Sequence, residues 1–172
     1  MQPDSGDRTV WKLRGDVRRR LKRFEEAISD FDYVLESAPN DKNVLGYRCY
    51  SNMDLGRFSA ALTDANKLIE IEPEKYASWL HRAEIYQKMG QPEQAIADFT
   101  HAIEQNLFSG SQFSKEDVYL LRAAAYDLQG DSEKAERDRA TVNLPRDGHF
   151  ASKWKFATIF TFFCYDRRKQ GK

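Results

Sequence analysis

Arginine and aspartate recur in this chain as pairs sixteen residues apart: Arg14 with Asp30, Arg48 with Asp64, Arg82 with Asp98, and Arg122 with Asp138. A guanidinium presents a planar fork of donors that matches a carboxylate, so four such pairs could line a ligand-binding row or tie structural elements together as ion pairs. The other residues with chemical potential form no such pattern. His81, His101 and His149 are scattered too widely for a metal site. No serine or cysteine sits in a nucleophile context, no glycine-rich phosphate loop is present, and the carboxylates read as helix-surface charge. No enzyme activity, metal or cofactor is expected.

The elements that must carry these pairs follow from what repeats with them. The first three pairs are offset by 34 residues and the fourth by 40, a shift shared by both partners, so a short insertion separates the last two copies. Trp11, Gly15, Ala27, Phe31 and Pro39 return as Leu45, Cys49, Ala61, Ala65 and Pro73. They return again as Trp79, Ala83, Ala95, Phe99 and Leu107, and then as Tyr119, Ala123, Ala135, Arg139 and Asp147. Tyr86 and Tyr126 share one aromatic slot, and Gly56, Gly90 and Gly130 share one turn slot. Small residues at fixed places let two helices approach closely, with large apolar ones filling the space beside them. Glycine supplies the left-handed turn that ends a first helix, and proline stops a second one. Each copy is a helical hairpin, too small to bury its flank alone, so its neighbour must cover it.

The period and slots resemble the tetratricopeptide repeat family over about residues 8–147. The resemblance implies an all-α, right-handed superhelical solenoid of four helix-turn-helix repeats plus a C-terminal capping helix. We divide the chain into a flexible N-terminus 1–7, repeats at about 8–41, 42–75, 76–109 and 116–149 with an insertion at 110–115, an aromatic helix 150–166 and a basic tail 167–172. Expected helices lie near 8–21, 24–37, 42–55, 58–71, 76–89, 92–106, 115–129, 132–143 and 150–166. Ser114, with Asp117 three residues on, predicts a capping box that restarts the chain after the insertion. On this plan each Arg lies on a first helix and its Asp on the second helix of the same or the preceding hairpin. The ladder is then a structural seam.

The resemblance also implies a function, a non-catalytic scaffold that binds a protein or peptide along a concave groove lined by first helices. Carried over residue by residue, that groove takes Lys12, Asp16 and Arg19 from the first repeat and Tyr47 and Tyr50 from the second. His81 and Glu84 follow from the third, then Leu120 and Leu121 from the fourth. Basic residues at one end, tyrosines in the middle and leucines at the other suit a peptide with acidic and apolar residues. Members of the family that hold the acidic tail of heat-shock chaperones use a lysine, asparagine and arginine clamp. The corresponding residues here are Lys12, Asp16, Tyr47, Ala77 and His81, of which only Lys12 matches, so a co-chaperone role of that kind is disfavoured.

Two segments stand apart in composition. Residues 8–23 hold eight basic side chains against one acid, Asp16, which is either a solvated terminal face or a surface for acidic partners. Residues 150–165 hold Phe150, Trp154, Phe156, Phe160, Phe162, Phe163 and Tyr165. They form a cap, an interaction element using Trp154, Phe162 and Tyr165, for instance in a homo-oligomer joined through this helix, or an interfacial membrane helix. At this length they cannot span a bilayer. With 27 basic and 27 acidic residues overall, no global field draws the chain to nucleic acid. Two cysteines make no disulfide framework, and the polar start lacks an apolar signal, so a cytoplasmic or nuclear setting is expected.

Overall fold

The computed structural model describes residues 5–105 and 114–142, and they form eight α-helices with no strand among them. These are α1 (Ser5–Arg20), α2 (Phe24–Ser37), α3 (Lys42–Asp54), α4 (Phe58–Ile71), α5 (Tyr76–Lys88), α6 (Pro92–Glu104), α7 (Lys115–Gln129) and α8 (Ser132–Thr141). Each helix packs on the next along the chain, and α1 also touches α3. The result is an all-α stack of four hairpins. The expected insertion at 110–115 lies mostly outside the described residues, as do the C-terminal aromatic helix and the slots at Leu107 and Asp147.

The helix ends follow local chemistry. Asp41 caps α3 by accepting from the amides of Asn43 and Val44 at 3.1 and 3.2 Å, and Asp131 caps α8 through Lys134 N. The predicted capping box is present: Ser114 Oγ accepts from Asp117 N, and the Asp117 carboxylate accepts from Ser114 N at 2.7 Å. Pro92 opens α6, where its missing N–H costs nothing.

Between the two helices of each hairpin, an amide donates back to the carbonyl five residues earlier, as in Arg57 to Asn52, Gln91 to Tyr86 and Asp131 to Tyr126. This closure needs a left-handed residue, supplied by Gly56, Gly90 and Gly130 at φ +71°, +70° and +89°. The first hairpin closes identically, Arg23 to Arg18. There the left-handed residue is Lys22, at φ +59°.

Three buried clusters hold the stack together, and each crosses from one repeat into the next. Ala27, Phe31, Val34 and Leu35 of α2 meet Val44 and Leu45 of α3 and Leu68 of α4. Cys49 and Met53 of α3 join Ala61 and Ala65 of α4 and Ile85 of α5. Ala95, Phe99 and Ile103 of α6 pack with Leu80 and Ala83 of α5 and with Val118 and Ala125 of α7. No hairpin owns a complete core, so stability is shared between neighbours. In the fourth repeat Arg139 stands where Phe31 and Phe99 stand in their own, and it pairs with Asp127 instead of entering the core.

Two substitutions test the backbone account. A Cβ at Gly15 would lie 2.5 Å from Phe31 Cε1, so Gly15→Ala should destabilise the chain by about 1–3 kcal/mol through overpacking, read as a lower denaturant midpoint. Lys22→Gly should act oppositely. It removes a left-handed side-chain penalty of about 1–2 kcal/mol and restores part of it as unfolded-chain freedom, leaving a net gain of less than about 1 kcal/mol.

Candidate functional site

The ladder is a seam within each hairpin. Arg14, Arg48, Arg82 and Arg122 each engage their own Asp bidentately, with Nη2 to Oδ1 distances of 2.7, 2.6, 2.7 and 2.7 Å. All four aspartates are buried. Burial pushes the Asp64 carboxyl up, Arg48 pulls it down, and the bond to Asp64 in turn raises Arg48. An open cleft of about 500 Å³ beside Arg48 and Asp64 therefore offers a ligand charges that are already paired.

One further bond was not foreseen from sequence. Arg48 Nη1 donates to Asp32 at 2.6 Å, Arg82 Nη1 to Asn66 at 2.9 Å, and Arg122 Nη1 to Thr100 at 3.0 Å. Each acceptor lies on the second helix of the preceding hairpin. The three acceptors occupy one register position with three different side chains, so the shared signal is a place and not a residue type.

The basic run of the first repeat is largely paired. Lys12 bonds Asp41 at 2.8 Å, Arg14 and Arg18 share Asp30, Arg19 and Arg20 share Asp16, and Arg23 meets Glu26. Groove candidates Lys12, Asp16 and Arg19 are thus positioned residues with partners. Arg19 also lies over the Tyr47 ring at 5.0 Å, bridging α1 to α3.

Further along, Tyr50 on α3 shares a 2.7 Å hydrogen bond with His81 Nε2 on α5, their rings meeting edge-on at 4.6 Å. Gln87 on α5 donates to the Leu121 carbonyl on α7. Tyr47 and Leu121 are half-buried, each packed on a core cluster, and Leu120 is half-buried as well. Five of the nine candidates, Arg19, Tyr47, Tyr50, His81 and Leu121, thus take part in links between consecutive first helices, α1 to α3, α3 to α5 and, through Gln87, α5 to α7. Trp154, Phe162 and Tyr165 lie outside the described residues.

The middle of this row is polar and largely buried. His81 Nδ1 is buried without a hydrogen-bond partner, and burial lowers His81 to about 4, which keeps the imidazole neutral. Burial also raises Glu84, against the pull of Lys88, and raises the Tyr50 hydroxyl, with Glu84 adding to that shift. Cys49, at the back of the same helix, donates to the Ala61 carbonyl, and burial pushes its thiol up to about 12. It stays a packing thiol at neutral pH. Among the described residues no His, Cys, Asp and Glu group could hold a metal ion, and no helix is long and apolar enough to cross a membrane.

A stack of paired helices in which each packs on the next is the architecture of a helical-repeat solenoid. The tetratricopeptide repeat model matches residues 76–107. Residues of this chain are 28% identical over 91 positions to U-box domain-containing protein 70 of Oryza sativa subsp. japonica, 53% of this chain and 11% of that protein. The chain spans less than a fifth of the length of the curated relatives it matches. MamA from Desulfovibrio magneticus RS-1 superposes with a TM-score of 0.70 at 14% identity, over 80% of this chain and 74% of that one. The first tetratricopeptide module of Spaghetti (RPAP3), solved with an HSP90 peptide, gives 0.57 at 16% identity over 81% and 98%. Residues 76–107 thus match a tetratricopeptide repeat, and the chain as a whole has the helical-repeat fold of these structural neighbours.

Two measurements check the site's energetics. Arg122→Ala strands the buried Asp138 carboxylate and should cost about 3 kcal/mol, whereas Arg14→Ala should cost clearly less, because Arg18 still holds Asp30 at 2.7 Å. Chemical denaturation of both variants compares them. His81 titrates near 6.5 unfolded and about 4 folded, so the unfolded chain binds the extra proton between those values. Its contribution is whole above about 6.5 and falls away as pH drops towards 4. Glu84, raised in the fold, works in the opposite sense. The difference in stability between pH 7 and pH 4.5 should therefore shrink in His81→Phe.

Proposed function

We propose that the chain is a non-catalytic interaction scaffold that takes a peptide or partner segment along the row formed by Lys12, Asp16, Arg19, Tyr47, Tyr50, His81, Glu84, Leu120 and Leu121. The observation that carries this is the set of contacts linking successive first helices, Arg19 over Tyr47, Gln87 to Leu121 and, at the centre, Tyr50 to His81, which holds these side chains in a fixed order from α1 to α7. The flanks complement this centre. Arginines at the α1 end favour carboxylates, and leucines at the α7 end favour apolar side chains, so an extended peptide with acidic residues towards α1 fits the row.

The family supports an interaction role, and one neighbour holds an HSP90 peptide. That ligand is not carried over to this chain. Of the clamp positions Lys12, Asp16, Tyr47, Ala77 and His81, only Lys12 has the required type, and it is bound to Asp41.

Peptides selected by display against the full-length chain test the proposal. Binding should fall by about tenfold or more in Tyr47→Ala/Tyr50→Ala and in Lys12→Glu/Arg19→Glu, with helicity by circular dichroism unchanged. Equal affinity for all three proteins would remove the row from the account.

A further inference from the structure

Among the described residues, the exposed large aliphatic side chains lie on α1 or directly after its last residue: Val10, Leu13, Val17 and Leu21 are 62, 63, 55 and 63% exposed. Their spacing of three, four and four places them on one helical stripe. The repeat register shows what this stripe is. Val10 corresponds to Val44, Ser78 and Val118, and Val17 to Ser51, Ile85 and Ala125. All six of those residues are buried, and the clusters that hold Val44, Ile85, Val118 and Ala125 draw on α2, α4 and α6, the second helices of the preceding hairpins.

The polar bond beside the stripe is open in the same way. Arg48, Arg82 and Arg122 each spend Nη1 on the preceding second helix. Arg14 uses Nε and Nη2 on Asp30, and its Nη1 meets no acceptor among the described residues. Its side chain is 45% exposed, against 24, 21 and 14% for the other three. Apolar stripe and free donor together outline the absent helix.

We propose that the outward face of α1 docks an acidic amphipathic helix of a partner protein, in the place that α2, α4 and α6 take against the later repeats. Those three helices show what it must carry. Each has an apolar residue, then a side-chain acceptor, then two apolar residues after a gap of one: Phe31, Asp32, Val34 and Leu35, then Ala65, Asn66, Leu68 and Ile69, then Phe99, Thr100, Ala102 and Ile103. Charge makes the occupant acidic. Six paired cations around α1 share the four carboxylates of Asp16, Glu26, Asp30 and Asp41, and Arg8 and Lys22 have no partner among the described residues. The helix α2 has five carboxylates and no basic residue.

The same criteria turn away this chain's own surfaces. In α8 the corresponding positions are Arg139 and Ala140, which supply neither the apolar contact nor the acceptor, so copies do not stack head to tail. Residues 143–172 carry seven basic residues against two acidic ones and would be repelled by α1.

The test uses the full-length chain and a helix-stapled, fluorescently labelled peptide with the sequence of Phe24–Ser37. Saturable binding is expected, weakened about tenfold or more both by Val10→Glu/Val17→Glu in the chain and by Asp32→Ala in the peptide. The chain substitutions fall on exposed positions, and an unchanged melting curve confirms the fold. Absence of saturable binding, or equal affinity for wild type and variant, overturns the proposal. So does a concentration-dependent dimer in light scattering that Val17→Glu dissolves, which gives the face to a second copy. Retention on phosphatidylserine vesicles that the double variant loses, without peptide binding, gives it to a membrane surface instead.

Discussion

One arginine per repeat ties helices together, and in three of the four repeats it touches three of them. From its own first helix it grips a buried aspartate on the second helix of the same hairpin, and in the second, third and fourth repeats it also reaches back to the hairpin before. Hydrophobic contact between small and large residues is tolerant of sliding. A bidentate guanidinium is not, because moving it by one helical position leaves a buried carboxylate without its partner. The ladder thus fixes the register within which the apolar clusters close, and everything placed on the first helices inherits its spacing from that register.

That inheritance is what brings distant residues into one row. Arg19 and Tyr47, Tyr50 and His81, and Gln87 and Leu121 are separated by 28, 31 and 34 residues, close to one repeat in each case. Each contact is therefore between neighbouring first helices, and in each the partner on the later helix sits three to six residues earlier in the register, about 5–9 Å along the helix axis. A row built this way can vary its chemistry from unit to unit without disturbing the scaffold, since the packing slots and the ladder lie on other faces of the same helices. His81 is the exception. It is placed in the row but buried by the packing around it, so its protonation is coupled to the stability of the stack.

Much of this was legible in the sequence, for definable reasons. The 34-residue period, the Arg and Asp spacing and the capping box at Ser114 are patterns of residue type, and type is what a sequence displays. The second bond of each arginine escaped notice because Asp32, Asn66 and Thr100 share only the ability to accept a hydrogen bond. Lys22 escaped because glycine marks its slot in the other repeats. Its left-handed conformation is set by the closing bond from Arg23 to Arg18, a constraint of topology that local propensity does not report. The exposed stripe on α1 was hidden for another reason. Apolar periodicity reads the same whether a face is covered or bare.

The first repeat accordingly differs from the others in kind. Among the described residues the first repeat has one neighbour where the second and third have two. Here α1 keeps the interior pattern: valines at the two positions that later repeats bury, leucines at the two beside them, and an arginine with a donor to spare. The basic residues around the stripe leave its apolar character intact, since they pair with Asp16, Glu26, Asp30 and Asp41 and not across it. A bare face of interior type leaves part of the cooperative stabilisation unrealised within the described residues. The free energy withheld there is available to whichever helix completes the register, and the ladder determines which helices can.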